Sequence, residues 1–254
     1  MIVRDEKTRA NLIEGGKCLV AVLTALRAKV VPGATTEELD DLAEQLIREN
    51  GDEPSFLGYQ PEGAMRPYPA TLCVSINEEI VHGIPNEFIK ILKDGDIVGL
   101  DLGLTHNGAV VDAAITVAVG KTSEATKKLL RATEAALAAG IAEAMPGNHV
   151  GDISHAIQEE IEREGFSVVK ALGGHGVGDS VHEEPFIPNF GRAGEGPELV
   201  EGMVLALEPI TSEGKASVAL APDGYTYRTK DGSRSAHFEH TILIEKEGAR
   251  IITA

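Results

Sequence analysis

Acidic residues lie inside apolar, strand-like runs of this sequence, and that combination most strongly limits how the chain can fold. Residues 96–104 and 109–119 are apolar and rich in β-branched side chains, with Asn107-Gly108 between them. This pattern predicts a β-hairpin. With a four-residue loop over 105–108, Asp101 and Asp112 would lie opposite each other on neighbouring strands.

Two like charges directly opposite each other destabilise a sheet, and a cation between them relieves the repulsion. The alternative is a pair of solvent-facing aspartates on an edge hairpin. The largely apolar run 113–117 indicates that the second strand is buried, which favours the cation.

Two glutamates repeat this pattern in the C-terminal part of the chain. Glu208 lies in GMVLALEPI and Glu239 in SAHFEHTILI, where His237 and His240 flank it. Glutamate is rarely buried without a partner, and neither run contains Arg or Lys. A single buried acid could pair with an Arg from elsewhere, but four acids on four core-like strands predict a shared cationic partner.

His175 is the fifth candidate ligand, in the glycine-rich string GGHGVG. Glycines on both sides predict a turn from which the imidazole projects, although a turn histidine without any role is the alternative. Four carboxylates balance the charge of two divalent cations. Oxygen-rich ligation suits Mn, Fe, Co or Zn, and paired metals form hydrolytic centres.

Composition excludes several other classes of function. The net charge of −17 argues against a DNA-binding protein that acts through its overall field. The two cysteines, Cys18 and Cys73, have no metal-site spacing and indicate a reducing compartment. The N-terminus lacks an apolar signal-peptide core, and no run approaches the roughly 18 apolar residues of a membrane span. We therefore expect a cytoplasmic protein.

The helical segments occur as a repeated pair. Periodicity predicts helices over 4–28, over about 36–50 with a Thr35/Glu38 capping box, over about 122–145 and over 150–164. Pro32-Gly33 matches Pro146-Gly147 at an offset of 114 residues, and Gly51 matches Gly165 at the same offset. This predicts two similar α/β halves around a pseudo-two-fold axis, with candidate ligands from both. No linker separates them, so we expect one domain over 1–254.

The ordered ligand set resembles that of the type I, bacterial-like methionine aminopeptidases of the pita-bread metallopeptidase superfamily. The strings INEEIVHGIP, DGDIVGLDLG, GGHGVGDSVHEEP, GMVLALEP and SAHFEHTI carry the resemblance, which extends roughly from residue 5 to 250. It implies an α/β (α+β) fold in which two pseudo-symmetric halves share a central curved antiparallel sheet covered by helices.

The resemblance also implies roles for individual residues. Asp112 and Glu239 would bridge two divalent ions, Asp101 would complete one ion, and His175 with Glu208 would complete the other. Glu208 would carry a proton during hydrolysis. His82 and His182 would act on the substrate as non-ligand histidines. A further set would enclose the methionine side chain: Tyr68, Cys73, Val181 and Tyr225.

The implied activity is metal-dependent hydrolysis of the first peptide bond, with removal of N-terminal methionine where the second residue is small. Nascent polypeptides and N-terminal Met peptides would be the partners, with transient ribosome contact, and we expect a monomer. One alternative is an Xaa-Pro aminopeptidase or prolidase, although those relatives carry an extra N-terminal domain. Another is a non-catalytic pita-bread binding protein, although such relatives have usually lost metal ligands.

Overall fold

A computed structural model describes residues 1–254, and its helices follow the predicted periodicity. The four helices are α1 (Glu6–Lys29), α2 (Thr36–Glu49), α3 (Glu124–Glu143) and α4 (Val150–Arg163). The predicted capping box at Thr35 and Glu38 is present, and the Ser123 side chain caps α3. The apolar face of α1 is buried at Leu12, Leu19, Leu23 and Leu26.

Fifteen short or medium strands make up the rest of the regular structure. They are β1 (Glu53–Pro54), β2 (Leu72–Ile76), β3 (Glu79–Val81), β4 (Ile97–His106), β5 (Ala109–Ala118), β6 (Ser167–Val168), β7 (Gly173–Gly176), β8 (Glu183–Pro188), β9 (Val204–Leu207), β10 (Ile210–Ser212), β11 (Val218–Leu220), β12 (Tyr227–Thr229), β13 (Ser235–His237), β14 (Glu239–Glu245) and β15 (Gly248–Ile251). All strand pairs are antiparallel.

One large sheet joins the two halves of the chain. Its order is β1-β4-β5-β14-β9-β7-β8, with β2 added beside β4 and β15 beside β14. The larger apolar core lies between the sheet and α1 and α2, and a second core lies beneath α3 and α4. The centre of the sheet is therefore where β5, from the first half, meets β14 and β9 from the second.

The predicted internal repeat is present in the structure. Adding 114 to the bounds of α2, 36 and 49, gives 150 and 163, which are the bounds of α4. Gly33 and Gly147, which precede these helices, both have positive φ, as do Gly51 and Gly165, which follow them. Each helix pair thus ends in the same turn geometry before its half of the sheet begins.

The hairpin prediction was right in its turn but wrong in its register. His106 pairs with Ala109, so the loop is only Asn107-Gly108, whose φ angles of 49° and 84° suit a two-residue turn. Asp101 consequently pairs with Ala114, and Asp112 pairs with Gly103. The shift is two residues, and because side chains alternate with a period of two, both aspartates still face the same side.

No helix in the structure has the length and apolar character that crossing a membrane would require.

Gly16 in α1 gives a test of how the helix packs against the C-terminal segment. A Cβ at this position would overlap the Ile252 carbonyl oxygen and lie 2.7 Å from Ile252 Cγ2. We expect Gly16→Ala to lower the free energy of unfolding by about 1–3 kcal/mol, because overpacking outweighs the usual gain of Ala in a helix. Chemical denaturation would measure it. Thr24→Ala, at an exposed position of α1, is the matched control and should not destabilise.

Candidate metal centre

A cavity of about 430 Å³ opens where the two halves of the large sheet meet. Every site residue predicted from the sequence lines it: Tyr68, Cys73, His82, Asp101, Asp112, His175, Val181, His182, Glu208, Tyr225 and Glu239. The side chains come from distant parts of the chain, so only the folded sheet brings them together.

Strand register explains how three of the carboxylates meet. Ala114 in β5 pairs with Asp101 on one side and with Glu239 in β14 on the other. Asp101 and Glu239 therefore flank one small residue across three strands. Asp112 lies two residues before Ala114 and faces the same side of the sheet. An alanine at the centre leaves space between the carboxylates.

His175 and Glu208 complete the group from β7 and from the end of β9. His175 lies within a strand, not in the predicted turn, and pairs with Ala206. Close packing explains the neighbouring glycines, because a Cβ on Gly174 would overlap the Ala206 carbonyl oxygen. Glu208 lies just beyond β9, not inside the predicted strand. Leu207 pairs with His240 in this antiparallel ladder, so the next position along β9 places Glu208 beside Glu239.

The imidazole of His175 is oriented toward the carboxylates. Its Nδ1 lies 2.9 Å from the Gly176 carbonyl oxygen, which can only accept, so Nδ1 carries the proton and Nε2 is free to bind a metal. Nε2 lies 3.6 Å from Glu208 Oε1. Donor atoms of Asp112, His175 and Glu239 all lie within 4.8 Å of one another. These three residues alone provide enough donor atoms to hold a metal ion.

The donor set fits divalent cations. Asp112 Oδ1 and Glu239 Oε1 are buried without any hydrogen-bond partner. No Lys or Arg forms an ion pair with the four carboxylates; the only basic groups within 4.0 Å are imidazoles. An unpaired buried carboxylate is strongly unfavourable, whereas a cation between several of them satisfies both charge and lone pairs.

Burial and mutual repulsion act on the same carboxyl groups. Burial raises the pKa of Asp101 to about 7. Burial also raises the pKa of Asp112, Glu208 and Glu239, and repulsion from the neighbouring carboxylates raises each pKa further. Burial lowers the pKa of His175 to about 3, so this imidazole is neutral and able to ligate. When ionised, the four carboxylates concentrate negative charge that no Lys or Arg of the protein balances.

His182 lies at the mouth of the cavity and is oriented by a tyrosine. Its ring centroid is 4.4 Å from that of His175, and its Nδ1 lies 2.9 Å from the Tyr59 hydroxyl. When the hydroxyl donates to Nδ1, Nε2 carries the proton and can donate to a bound carbonyl oxygen. Tyr59 was not among the site residues predicted from the sequence, and only this long-range contact reveals its role.

His82 faces the cavity from a strained position after β3. Its φ of 58° lies in the left-handed region, which is uncommon for a residue other than glycine. The backbone is held there because the Gly83 carbonyl accepts from the Val74 amide and the Gly83 amide donates to Ser75 Oγ. The imidazole centroid lies 6.0 Å from the Tyr227 ring. Such strain is typical of functional sites.

The predicted side-chain pocket is an aromatic and apolar wall of the same cavity. The rings of Tyr68 and Tyr225 meet edge to face with centroids 5.1 Å apart. The Tyr68 hydroxyl donates to the carbonyl oxygens of Gly83 and Leu72, so it is fixed. Cys73 pairs with Asp101 across the sheet, and Val181 is buried. The wall therefore adjoins the carboxylates directly.

His237 also lines the cavity, although the sequence predicted no role for it. It is buried, and its Nε2 has no hydrogen-bond partner while lying 3.6 Å from Glu208 Oε2 and 3.8 Å from Glu239 Oε2. Reciprocal hydrogen bonds between Thr116 Oγ1 and the His237 backbone fix its position. The sequence signal was its place two residues before Glu239.

We expect His237→Asn to weaken the binding of divalent metal by about 10–100-fold, the usual loss when a group that supports metal ligands is removed. Calorimetric titration with Mn²⁺ would measure the change. His155→Asn, on the exposed face of α4, is the matched control and should bind metal as the unmodified protein does. Unchanged affinity in His237→Asn would assign this imidazole a packing role only.

Comparisons with known proteins agree with this geometry. Residues 10–246 match the model of metallopeptidase family M24. The chain is 45% identical to the methionine aminopeptidase of Clostridium perfringens over 253 residues, covering 100% of this chain and 98% of that protein.

The solved structures show the same fold. The methionine aminopeptidase of Thermotoga maritima superposes with a TM-score of 0.94 at 42% identity, covering 100% of this chain and 99% of that one. The prolidase of Pyrococcus horikoshii shares the fold alone, with a TM-score of 0.75 at 22% identity over 63% of its length. The predicted pita-bread fold and the predicted resemblance are confirmed, and the chain belongs to metallopeptidase family M24.

Proposed function

We propose that the protein removes N-terminal methionine from polypeptides by hydrolysis of the first peptide bond. The observation that carries the proposal is the convergence of four carboxylates and one imidazole at the floor of a cavity with an aromatic wall. The full-length likeness to proteins named methionine aminopeptidase supports the choice of substrate.

The same residues would hold two divalent cations, of which Co, Mn, Fe and Zn all suit the donor set. Asp101, Asp112, His175, Glu208 and Glu239 would hold the pair. The unpartnered buried oxygens of Asp112 and Glu239 support this assignment, because a bound cation would satisfy them. When bound, divalent cations supply Lewis acidity, which lowers the pKa of water and polarises a carbonyl.

The chain's own residues would move the proton and stabilise developing charge. Glu208 would accept a proton from the attacking water and return it to the leaving amine as the carbon–nitrogen bond breaks. His182, oriented by Tyr59, would donate from Nε2 to the oxygen that becomes negative when water adds to the carbonyl carbon. Both residues lie beside His175, whose Nε2 is 3.6 Å from Glu208 Oε1 and whose ring centroid is 4.4 Å from that of His182.

The remaining residues would position the substrate. His82, held by its fixed backbone, would contact the peptide near the scissile amide. Tyr68, Cys73, Val181 and Tyr225 would enclose the thioether side chain, and the fixed Tyr68 hydroxyl leaves an apolar surface toward it. Apolar walls with a few fixed polar groups are typical of selective small-ligand pockets.

The proposal includes the setting of the reaction. The substrates would be nascent polypeptides and Met peptides with a small second residue, in the cytoplasm, with transient contact to the ribosome. The chain would act as a monomeric single domain over 1–254. Support for the single domain is the continuous sheet, in which β5 and β14 pair directly across the two halves.

A peptide panel tests this function. Metal-depleted protein should release methionine from a Met-Ala peptide only after Mn²⁺ or Co²⁺ is added, and should leave an Ala-Pro peptide intact. Mass spectrometry of both products would measure this. Turnover of Ala-Pro but not Met-Ala would assign Xaa-Pro peptidase activity instead. Metal binding with no turnover of either peptide would identify a binding protein.

A further inference from the structure

A second cluster of metal-ligating side chains lies apart from the cavity. Cys18 comes from α1, Asp52 from the connection between α2 and β1, and His106 from the last residue of β4. One donor atom from each lies within 4.8 Å of the other two. Three chemically different ligands from three separate elements thus meet without any role in the proposed hydrolysis.

Hydrogen bonds already draw these donors together. Asp52 Oδ1 lies 2.7 Å from His106 Nδ1. Asn50 Nδ2 lies 2.8 Å from Cys18 Sγ and 2.7 Å from Asp52 Oδ2. The amide nitrogen of Asn50 therefore occupies the space between sulfur and carboxylate that a cation could take. Rotation of this amide by 180° would present Oδ1 to the same space and supply a fourth donor.

A neighbouring amide can set the histidine tautomer for ligation. Asn107 Nδ2 lies 3.0 Å from His106 Nε2. With the Asn107 amide reversed, its oxygen accepts a hydrogen bond from Nε2–H, which leaves the Nδ1 lone pair facing Asp52. A carbonyl oxygen behind a ligating imidazole is the usual support of a metal-bound histidine.

The local charge also favours a cation. The Asp52 side chain is only 2% exposed, and His106 is its sole ion-pair partner. Lys17, the basic residue next to Cys18 in sequence, pairs with Glu14 instead. A nearly buried carboxylate whose only basic neighbour is an imidazole becomes more favourable when a divalent ion joins it.

We propose that Cys18, Asp52 and His106 form a second, separate metal site that binds a Zn²⁺-type cation. Thiolate, imidazole and carboxylate are all zinc ligands, whereas the oxygen-rich cavity suits harder ions. Binding releases the Cys18 thiol proton to solvent and forms a metal–sulfur bond. His106 lies five positions after Asp101 in β4, which places this site about 17 Å along the strand from the cavity.

The bound ion would join three elements that pack at one end of the first half. It would link α1 and the α2–β1 connection to the hairpin that carries Asp101 and Asp112. We therefore expect the site to stabilise the hairpin without taking part in catalysis. The proposal does not depend on the proposed peptidase activity, because none of its three ligands lines the cavity.

Cobalt titration of the reduced full-length protein tests the site. Co²⁺ bound by a thiolate gives an intense sulfur-to-metal charge-transfer band in the near ultraviolet, which the oxygen and nitrogen ligands of the cavity cannot produce. We expect this band in the unmodified protein and in Cys73→Ser, and its loss in Cys18→Ser. His106→Gln should weaken the binding of Co²⁺ at this site at least about tenfold. Zn²⁺ should displace the cobalt and abolish the band.

Stoichiometry provides the second measurement. The unmodified protein should retain one more equivalent of Zn²⁺ after dialysis than Cys18→Ser, while both variants release methionine at equal rates. Equal zinc content in the two proteins, or a charge-transfer band that survives in Cys18→Ser and disappears in Cys73→Ser, would overturn the proposal. Circular dichroism of each variant would establish that the fold is retained.

Discussion

The Glu208→Gln variant is expected to release methionine from a Met-Ala peptide about 10²–10⁴ times more slowly than the unmodified protein, the usual loss when a general acid–base group is removed. Glutamine keeps the shape of the side chain but cannot take up or return a proton. Its Oε1 can still approach His175 Nε2, which lies 3.6 Å from the present carboxylate. The loss should appear mainly in kcat.

A metal measurement separates proton transfer from ligand loss in this variant. Glu208→Gln also removes one negative charge from the cavity, so metal content must be compared at saturating Mn²⁺. If the variant holds as much metal as the unmodified protein and still fails to turn over, proton transfer is the function that was lost. Glu201→Gln, an exposed acid seven residues earlier, is the matched control. Near-native turnover in Glu208→Gln would contradict its assigned role.

The carboxylates could be predicted from the sequence because burial of acids in apolar strands is a local signal. The exact pairing of residues between the two hairpin strands could not be predicted. Asn107-Gly108 was identified as the turn, yet loop length was misjudged by two residues, because Thr105 and His106 continue the strand despite their polarity. The even shift kept Asp101 and Asp112 on one face. The functional conclusion therefore survived an error in the geometry that had suggested it.

The local structure around His175 and Glu208 depends on contacts that no short string reveals. GGHGVG is equally consistent with a turn and with a strand whose neighbours approach closely, and the approach of the Ala206 and Glu184 carbonyls decides for the strand. Pro209 follows Glu208 and has no N–H to donate, so the ladder is interrupted between β9 and β10, which belong to different sheets. The glutamate is thereby placed at a strand end, beside Glu239.

Long-range positioning contacts could not be predicted at all. Tyr59 is 123 residues from His182, and Thr116 is 121 residues from His237. Such pairs have no periodicity or spacing, and only the closed sheet brings them within hydrogen-bond distance. The Cys18, Asp52 and His106 cluster belongs to the same class, since the two cysteines alone gave no metal-site spacing.

Divalent metal is expected to raise the melting temperature of the protein by about 5–11 °C when its concentration is about one hundred times Kd. Preferential binding to the folded state then contributes about 2.7 kcal/mol, and each kcal/mol shifts the melting temperature of a chain of this size by about 2–4 °C. The physical reason is the cluster of Asp101, Asp112, Glu208 and Glu239, which lacks any Lys or Arg partner. Calorimetry with Mn²⁺ and with EDTA would measure the difference.

We expect the order of stability of Asp112→Asn and the unmodified protein to differ between EDTA and Mn²⁺. In EDTA the variant should melt at or above the temperature of the unmodified protein, because a neutral amide removes one buried like charge and can donate to the carboxylates beside it. In Mn²⁺ it should melt below the unmodified protein, because a ligand with an unpartnered buried oxygen has been lost. Asp179→Asn, an exposed acid outside the cavity, should follow the unmodified protein in both conditions. An Asp112→Asn variant that was destabilised equally with and without metal would show that Asp112 supports the fold by packing, and not by holding a cation.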